Sequence, residues 1–325
     1  MRVLLTHPPE FRRQYYGERS LAGLRAMAEV KLHDGSEPFD TDGLVSAAQD
    51  VDIIVADRMT EGRSAIFREL PQLRAFVRCA VDIRNIDVSA ASEAGVLVTR
   101  ASPGFVPAVA ELALGFMVDL SRGISRATAD YHAARKPEVV MGRQLSGSRI
   151  GIIGYGSIGR YLAALAKALG MEVMIADPFV TIDEADIEHL PLDDLLARAD
   201  YVVCLAIANE ATENLIGEAA LVRMQKHAVF INLSRGNLVD EVALAKALRE
   251  NRIAGAAMDV GRAADQMPSV GLAELPDVIA TPHIGGLTPQ AIEHQATETV
   301  RQVAMIIKGE APIGAVNAEH WTRRS

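Results

Sequence analysis

Between Arg149 and Pro178 the chain carries the pattern that most restricts its fold. An apolar run, Ile150–Ile153, is typical of a buried strand, and it meets the turn Gly154-Tyr155-Gly156-Ser157-Ile158-Gly159. Apolar residues then recur at helical spacing, and a second apolar run, Met171–Ala176, ends at Asp177. This order of strand, glycine turn, helix and strand predicts a βαβ unit, from which parallel sheets are built.

The glycine turn has the spacing that binding of a dinucleotide requires. Gly154 permits the tight turn, Gly156 lets the backbone approach a pyrophosphate, and Gly159 lets the helix pack against the strand. The helix begins at Ser157 and Ile158, and the first N–H groups of a helix lack partners within it, so they can bind an anion. These five residues are therefore predicted to bind a dinucleotide.

Asp177 lies close to the distance from the turn at which a ribose-binding acid is expected. Taken alone, a carboxylate at a strand end is also typical of an ordinary solvated residue. Pro178 and Phe179 follow it, and neither carries a positive charge that would pair with a 2′-phosphate. The pattern therefore favours NAD over NADP as the cofactor.

The composition excludes several classes of protein. With 325 residues, of which 49% are hydrophobic, the chain is long enough for about two domains with buried cores. A net charge of −9 argues against a nucleic-acid-binding surface, because neutralising phosphates needs clustered Lys and Arg. Cys79 and Cys204 lie far apart in apolar runs, which favours buried thiols over a disulfide or a metal site. We find no signal-peptide pattern and no long apolar segment, so we expect a cytoplasmic protein without a membrane span.

Before residue 100, short apolar runs alternate with helix-like segments, which is typical of a parallel sheet covered by helices. The predicted strands of this part are Val3–Leu5, Val51–Val55, Ala75–Val77 and Val96–Val98. The predicted helices lie around Leu21–Ala28, Ser64–Leu70 and Val88–Ala94. An apolar helix, Val109–Leu120, follows the break at Pro103-Gly104. Residues 121–148 are polar, and they form either an arm that contacts a partner or a solvated connector.

The rest of the chain completes a second α/β domain. Four further apolar runs bring its sheet to six predicted strands, and they are Tyr201–Ala206, Ala228–Leu233, Ile253–Val260 and Val278–Thr281. Helices are predicted at Asp240–Glu250 and at 288–308, the second of which returns to the first domain. We therefore expect two Rossmann-like domains with parallel sheets flanked by helices. Residues 1–104 plus 291–325 would form the substrate domain, and residues 105–290 the NAD-binding domain.

Three segments of the chain resemble the D-isomer-specific 2-hydroxyacid dehydrogenases, which include phosphoglycerate dehydrogenases and glyoxylate and hydroxypyruvate reductases. They are Gly147–Gly154, Ile231–Glu241 and Ala280–Thr288, and the resemblance covers nearly the whole chain. It implies Arg235 and His283 as the catalytic residues. The chemistry agrees, because an arginine at a strand end can hold a carboxylate and polarise the adjacent carbonyl, and an imidazole can exchange a proton near neutral pH.

The resemblance also implies roles for residues outside the glycine turn. Asp259, which ends a predicted strand region, would contact the nicotinamide carboxamide, or else cap a turn. Val81 and Asp82 lie in the loop whose N–H groups receive the substrate carboxylate. The resemblance further implies a homodimer through the helix at Val109 and the arm that follows it.

The chain departs from the family pattern at positions that bear on catalysis. Asp82 replaces a glycine, so a carboxylate faces the place of an anionic substrate unless it is neutralised. Arg100 and Arg262 also depart from the family pattern, and these arginines either offset Asp82 or bind a second acidic group, which makes Arg100 a candidate for substrate binding. The glutamate that partners the histidine in the family is replaced by Ala264. Either Asp265 or Asp82 takes over from that glutamate, or the histidine works without a carboxylate partner.

Together these patterns predict an NAD-dependent 2-hydroxyacid dehydrogenase. Its active site would lie in the cleft between the two domains, where a hydride moves between C2 of a small 2-hydroxy or 2-keto acid and the nicotinamide. The alternative is an NAD(H)-sensing binding or regulatory protein with the same fold and little turnover. The missing glutamate favours this alternative, whereas the arginine and the histidine favour the enzyme. We expect neither a nucleic-acid partner nor a metal ion.

Overall fold

The computed structural model describes residues 1–263 and 265–324. Within them the chain forms twelve strands, and these are β1 (Arg2–Leu5), β2 (Glu29–Leu32), β3 (Ile53–Ala56), β4 (Ala75–Arg78), β5 (Leu97–Arg100), β6 (Arg149–Ile153), β7 (Glu172–Ala176), β8 (Ile187–His189), β9 (Tyr201–Cys204), β10 (Val229–Asn232), β11 (Gly255–Met258) and β12 (Val278–Ala280). The same residues form thirteen α-helices, and these are α1 (Pro9–Tyr15), α2 (Gly17–Arg25), α3 (Thr41–Ala47), α4 (Ser64–Glu69), α5 (Val88–Glu93), α6 (Val106–Arg122), α7 (Ile124–His132), α8 (Ser157–Ala168), α9 (Leu192–Arg198), α10 (Glu218–Arg223), α11 (Glu241–Arg249), α12 (Val270–Ala273) and α13 (Pro289–Ile307). None of these described helices has both the length and the apolar character needed to cross a bilayer.

The first compact unit consists of Met1–Gly104 and the described residues from Pro289 onward. Its five strands lie in the order β2-β1-β3-β4-β5, and every pairing is parallel. β3 and β4 are buried at every residue, as expected for parallel strands covered by helices on both faces. The apolar runs do not reveal β2, because its residues alternate between exposed and half-buried. Accordingly, the helix predicted around Leu21–Ala28 ends earlier, at Arg25, and leaves room for this strand.

The last helix and the C-terminal segment belong to this first unit. α13 packs against α2, and Thr299 Oγ1 lies 2.9 Å from Tyr16 Oη in that contact region. Asn317 is buried farther along the chain, where its Oδ1 accepts the N–H of Val98 at 2.8 Å and its Nδ2 donates to the carbonyl of Val96 at 2.9 Å. The C-terminal segment therefore binds backbone groups in and beside β5, one of the two edge strands of the sheet.

The second compact unit, Phe105–Thr288, contains a seven-stranded sheet in the order β12-β11-β10-β9-β6-β7-β8. The prediction of six strands is wrong by one, because β8 has a single buried residue and no apolar run to reveal it. Helices α6 and α8 cover one face of the sheet, and α9, α10 and α11 cover the other. Two parallel sheets flanked by helices confirm the predicted α/β class.

The polar segment after α6 is partly helical, since α7 occupies its first part. Arg143 anchors its far end, because Nη1 donates to the carbonyl of His227 at 2.9 Å and Nη2 lies 3.3 Å from the carboxylate of buried Asp200. Between these fixed points the side chains of Val139 and Met141 are 95% and 96% exposed. Both residues belong to the predicted arm of residues 121–148.

Candidate active site

The glycine turn between β6 and α8 leaves no room for a side chain at two of its positions. Gly154 has a φ of 99°, in the left-handed region, and a Cβ there would lie 2.8 Å from the backbone nitrogen of Ala206. A Cβ on Gly159 would lie 2.3 Å from the carbonyl oxygen of Gly154. The two glycines therefore let α8 start directly against the chain that leaves β6.

Gly156, by contrast, borders open space. A Cβ on Gly156 would have no atom within 4 Å, and both Gly156 and Ser157 are exposed. In the described part of the chain, no side chain caps the first turn of α8, so the N–H groups of Ser157 and Ile158 face this space without a cap. An anion placed there receives these donors and the positive end of the helix dipole, and the cradle fits a pyrophosphate.

Asp177 follows β7 and lies beside the glycine turn. Its Oδ2 accepts the N–H of Tyr155 at 2.8 Å, and its Oδ1 accepts the N–H of Phe179 at 3.0 Å. These bonds fix the carboxylate at the carboxyl edge of the sheet, and each oxygen retains accepting capacity for a ribose hydroxyl. The turn and Asp177 together fit the pyrophosphate and ribose of a dinucleotide.

Tyr155 holds the turn in a way that the motif does not predict. Its ring is buried, its hydroxyl donates to Glu184 at 3.2 Å, and the guanidinium of Arg160 lies 4.3 Å from the ring centroid. Burial, followed by the bond to Glu184, raises the pKa of Tyr155. The motif leaves position 155 unspecified and Glu184 lies in a distant loop, so sequence patterns do not reveal this contact.

Arg235 stands in the turn that leaves β10, and the backbone of that turn is tightly held. Fully buried Asn232 donates from Nδ2 to the carbonyl of Arg235 at 2.9 Å and accepts the N–H of Ser234 at 3.1 Å. The Arg235 side chain is half-buried, and its Nη1 donates to the carbonyl of Ser234 at 2.7 Å. A Cβ on Gly236 would lie 2.1 Å from the backbone of Gly261, so the chain passes closely on this side as well.

Asp259 and the turn that carries His283 form one hydrogen-bonded unit. Asp259 is 2% exposed, and its Oδ1 accepts the hydroxyl of Thr281 at 2.6 Å and the N–H of Ile284 at 2.8 Å. Its Oδ2 accepts the N–H of Gly285 at 2.8 Å. The turn-capping alternative for Asp259 is therefore present in the structure, and the contact with the nicotinamide carboxamide remains a prediction.

In the first unit, Asp82 has a cation within its own loop. The Nη2 of Arg84 lies 2.6 Å from Oδ2 of Asp82, and the hydrogen bond raises the pKa of Arg84. Val81 and Asp82 are half-buried, and Arg100 is exposed at the end of β5. Arg100 and Arg262 are the arginines that the sequence predicts beside Asp82, whereas Arg84 is a partner that the structure adds. The only sign of this contact in the sequence is that Arg84 lies two residues after Asp82.

The other residues near the altered glutamate position have local partners. Arg262 donates to the carbonyl of Val239 and to Glu213, each at 2.8 Å. Asp265 is exposed, and its Oδ1 accepts the N–H of Met267 at 3.0 Å. Ala264 itself lies outside the described residues. A carboxylate that replaces the family's glutamate therefore remains a prediction.

A buried polar cluster in the first unit carries no recognisable motif. Arg78 is fully buried, and its Nη2 donates to the carbonyl of Thr60 at 2.9 Å and to the amide oxygen of Asn85 at 2.7 Å. Burial lowers the pKa of Arg78 to about 10 and the pKa of His7 to about 4. The neighbouring Asp57 is 4% exposed and opposes both effects through its charge. The cluster joins the loops that follow β3 and β4.

Because all strands of the second unit are parallel, their carboxyl ends lie at one edge of the sheet. The glycine turn follows β6, Arg235 follows β10, Asp259 follows β11, and His283 follows β12. Strand order reverses between β6 and β9, which is where doubly wound sheets bind ligands. No group of acidic, histidine or cysteine side chains in the described ranges could hold a metal ion. Fold and site thus define a dinucleotide-binding protein of the Rossmann class.

Comparison with known proteins specifies the family. The family model "D-isomer specific 2-hydroxyacid dehydrogenase, NAD binding domain" matches residues 114–285. D-3-phosphoglycerate dehydrogenase of Mycobacterium leprae is 33% identical over 306 residues, which are 93% of this chain and 57% of that protein. Glyoxylate reductase of Korarchaeum cryptofilum is 30% identical over 93% of either chain. The chain belongs to the D-isomer-specific 2-hydroxyacid dehydrogenase family, and the predicted resemblance is confirmed.

Solved structures agree with this assignment. The TT0316 protein of Thermus thermophilus superimposes with a TM-score of 0.84 at 27% identity, over 97% of this chain and all of that one. The chain spans about half the length of the D-3-phosphoglycerate dehydrogenases it matches. The second unit is an NAD-binding domain of the family, and its glycine cradle and Asp177 fit the cofactor NAD.

Proposed function

We propose that the protein is an NAD-dependent oxidoreductase that interconverts a small 2-hydroxy acid and its 2-keto acid. The observation that carries the proposal is the placement of Arg235 and the His283 turn at the carboxyl edge that also holds the glycine cradle. A cationic fork and an imidazole beside a nicotinamide are the groups that this chemistry requires.

Each residue has a defined task in the reduction of a keto acid. Arg235 binds the carboxylate through its planar guanidinium and polarises the neighbouring carbonyl, which makes C2 electrophilic. His283 donates a proton to the carbonyl oxygen as it becomes a hydroxyl. Bound NADH supplies the hydride that C2 receives. Oxidation of the hydroxy acid reverses these transfers, with His283 accepting the proton.

The loop residues of the first unit are the proposed binding groups for the substrate. The N–H groups at Val81 and Asp82 would receive the carboxylate, and Arg100 would add positive charge. The Asp82 carboxylate opposes an anion, and its pair with Arg84 offsets that charge. Arg84 is 75% exposed and Asp82 is 35% exposed, so solvent screens the pair and the offset is modest. A substrate that carries a positively charged group near its keto acid is therefore also compatible with Asp82.

The runner-up function is an NAD(H)-sensing regulatory protein with little turnover. Ala264 stands where the family has the glutamate that holds its histidine, and this departure favours the regulatory protein. Arg235, with its turn fixed on both sides, favours the enzyme.

A substrate screen separates the two functions. Purified protein is mixed with NADH and, in turn, glyoxylate, hydroxypyruvate, a bulky 2-keto acid and a dicarboxylic 2-keto acid, and loss of NADH absorbance is followed. We expect turnover of at least one of these acids and none after His283→Ala, with NADH affinity retained in that variant. Tight NADH binding without turnover of any acid would identify the sensor instead.

We also propose that the protein is a homodimer that functions in a reducing, cytoplasmic compartment. The exposed apolar residues of α7 and the arm support the dimer, and they include Tyr131, Val139, Val140 and Met141. The buried thiols of Cys79 and Cys204, which form no disulfide, support the compartment. Light scattering should give a dimer for the native chain and a monomer for Val139→Asp/Met141→Asp. Val242→Asp, on another exposed surface, should remain a dimer.

A further inference from the structure

The strongest unassigned feature of the second unit is the side chain of Asn232, the last residue of β10. It is fully buried, and both ends of its amide are used. Oδ1 accepts the N–H of Ser234 at 3.1 Å, and Nδ2 donates to the carbonyl of Arg235 at 2.9 Å. One side chain therefore binds the N–H of Ser234 and the carbonyl of Arg235, the residue that we assign to the substrate carboxylate.

The same residue also joins this turn to the His283 region. The backbone carbonyl of Asn232 accepts the N–H of Asp259 at 3.2 Å, and the Asp259 carboxylate binds the turn around His283. Asn232 is thus one bond from Arg235 and one bond from the residue that holds His283. Movement of Asn232 would disturb the spacing of both groups, and the proposed proton and hydride transfers depend on that spacing.

Further contacts hold the Arg235 turn on either side of the hydrogen bonds made by Asn232. Ser234 Oγ donates to the carbonyl of Ala206 at 2.5 Å, and Gly236 packs against the Gly261 backbone without space for a Cβ. These contacts fix the two ends of the turn. The amide of Asn232 fixes its centre, where the arginine side chain branches from the chain.

We propose that Asn232 is a positioning residue for Arg235, and that it contributes to turnover through Arg235 rather than by contact with the substrate. The inference rests on the proposed function for its kinetic effect. Its structural part, that the amide holds the Arg235 turn, does not depend on which substrate is used.

Asn232→Asp tests this with little change in shape. One carboxylate oxygen still accepts the Ser234 N–H, but the other replaces the donor opposite the Arg235 carbonyl, so two acceptors face each other. The matched control is Asn317→Asp in the first unit. Asn317 is also buried, with Oδ1 on a backbone N–H and Nδ2 on a backbone carbonyl, and it lies outside the proposed site.

We expect Asn232→Asp to lower kcat/KM for the keto acid at least about tenfold while the Kd for NADH changes less than about twofold. Asn317→Asp should lower the melting temperature but leave kcat/KM within about twofold. In an Arg235→Lys background, adding Asn232→Asp should lower kcat/KM by less than about threefold, because the guanidinium that Asn232 positions is already absent. If the double variant instead loses kcat/KM by the product of the two single losses, the proposal is wrong.

Hydrogen exchange of the backbone amides tests the inference by a measurement that does not depend on enzymatic turnover. Exchange of the peptide covering residues 233–238 should accelerate in Asn232→Asp and stay unchanged in Asn317→Asp. If the native protein reduces no keto acid but this peptide behaves as expected, the proposed function and the kinetic effect of Asn232 fail, and only the structural part of the inference stands. If exchange in 233–238 is unaffected, the positioning role is wrong whatever the enzyme does.

Discussion

The carboxylate of Asp259 accepts the backbone N–H of Gly285 at 2.8 Å, and the approach is so close that a Cβ on Gly285 would lie 2.9 Å from Oδ2. The turn that leads from β12 to Gly285 contains His283 with a φ of 54°, a left-handed conformation that is uncommon outside glycine. One buried carboxylate accepts three hydrogen bonds from this turn, so the backbone that carries the imidazole is held by a residue that follows another strand.

This relationship predicts that Gly285→Ala displaces the Asp259 carboxylate and the turn with it. We expect kcat/KM to fall about tenfold or more, together with a lower melting temperature, because a buried acceptor loses a partner. Gly271→Ala is the matched control, since a Cβ on Gly271 meets no atom within 4 Å. Equal kinetics of the two variants would show that the turn tolerates the added methyl group.

The second prediction concerns the choice of cofactor. Asp177 accepts two backbone N–H groups and offers its remaining lone pairs to the ribose, but its charge repels a 2′-phosphate. NADH should therefore bind much more tightly than NADPH in fluorescence titrations. Asp177→Ala should reduce the preference for NADH over NADPH, because it weakens the binding of NADH and removes the repulsion of the 2′-phosphate of NADPH. Equal affinities of the native protein for the two cofactors would remove Asp177 from the ribose site.

The third prediction concerns the shape of the cation at position 235. Arg235→Lys keeps the charge but loses the planar fork, and an ammonium cannot bind a carboxylate in the same two-bond geometry. We expect kcat/KM to fall at least about tenfold, equivalent to roughly 1.4 kcal/mol of transition-state stabilisation. Steady-state kinetics with the acid found in the screen measure this loss. Near-native values would place Arg235 outside the reaction.

The fourth prediction is a loss of stability in mild acid caused by His7. Burial, aided by Arg12 and Arg78 and opposed by Asp57, lowers the pKa of folded His7 from 6.5 to about 4. Between pH 6.5 and about 4, His7 is protonated in the unfolded chain but neutral in the folded protein. The free energy of unfolding therefore falls as the pH drops toward 4. At full titration the difference is roughly 3 kcal/mol. His7→Phe retains a ring against Tyr16 and removes the titration.

Denaturant unfolding at several pH values between 7 and 4.5 measures this effect. The difference in unfolding free energy between the native protein and His7→Phe should change steadily in favour of the variant as the pH falls. Two curves that stay parallel would show that His7 accepts a proton in the folded state without cost.

The fifth prediction concerns the partner of His283. If Asp265 replaces the family's glutamate, Asp265→Asn should lower the pH at which keto-acid reduction declines, because a carboxylate raises the pKa of the imidazole. Asp82→Asn tests the other candidate in the same way. We expect one of these variants to shift the kcat/KM profile. If neither does and Ala264→Glu raises the upper limb, His283 works without a carboxylate partner.

Features that depend on neighbours in the chain could be predicted before the structure. Buried parallel strands require consecutive apolar residues, so β3, β4, β6 and β9 are visible as apolar runs. Gly154 and Gly159 are visible because their backbone positions admit no Cβ. The edge strands β2 and β8 are not visible, because an edge strand needs few apolar residues and its existence is decided by the strand beside it.

The sequence by itself determined the α/β class, the glycine cradle with Asp177, and the motifs that carry Arg235 and His283, since each is written in residues close together in the chain. The tertiary structure alone decided that Asp259 holds the His283 turn and that Asn232 joins this turn to the Arg235 turn. It also decided which charged groups are buried, as at His7 and Arg78. Hydrogen bonds between strand ends and the desolvation of a side chain depend on residues far apart in sequence, and no local pattern records them.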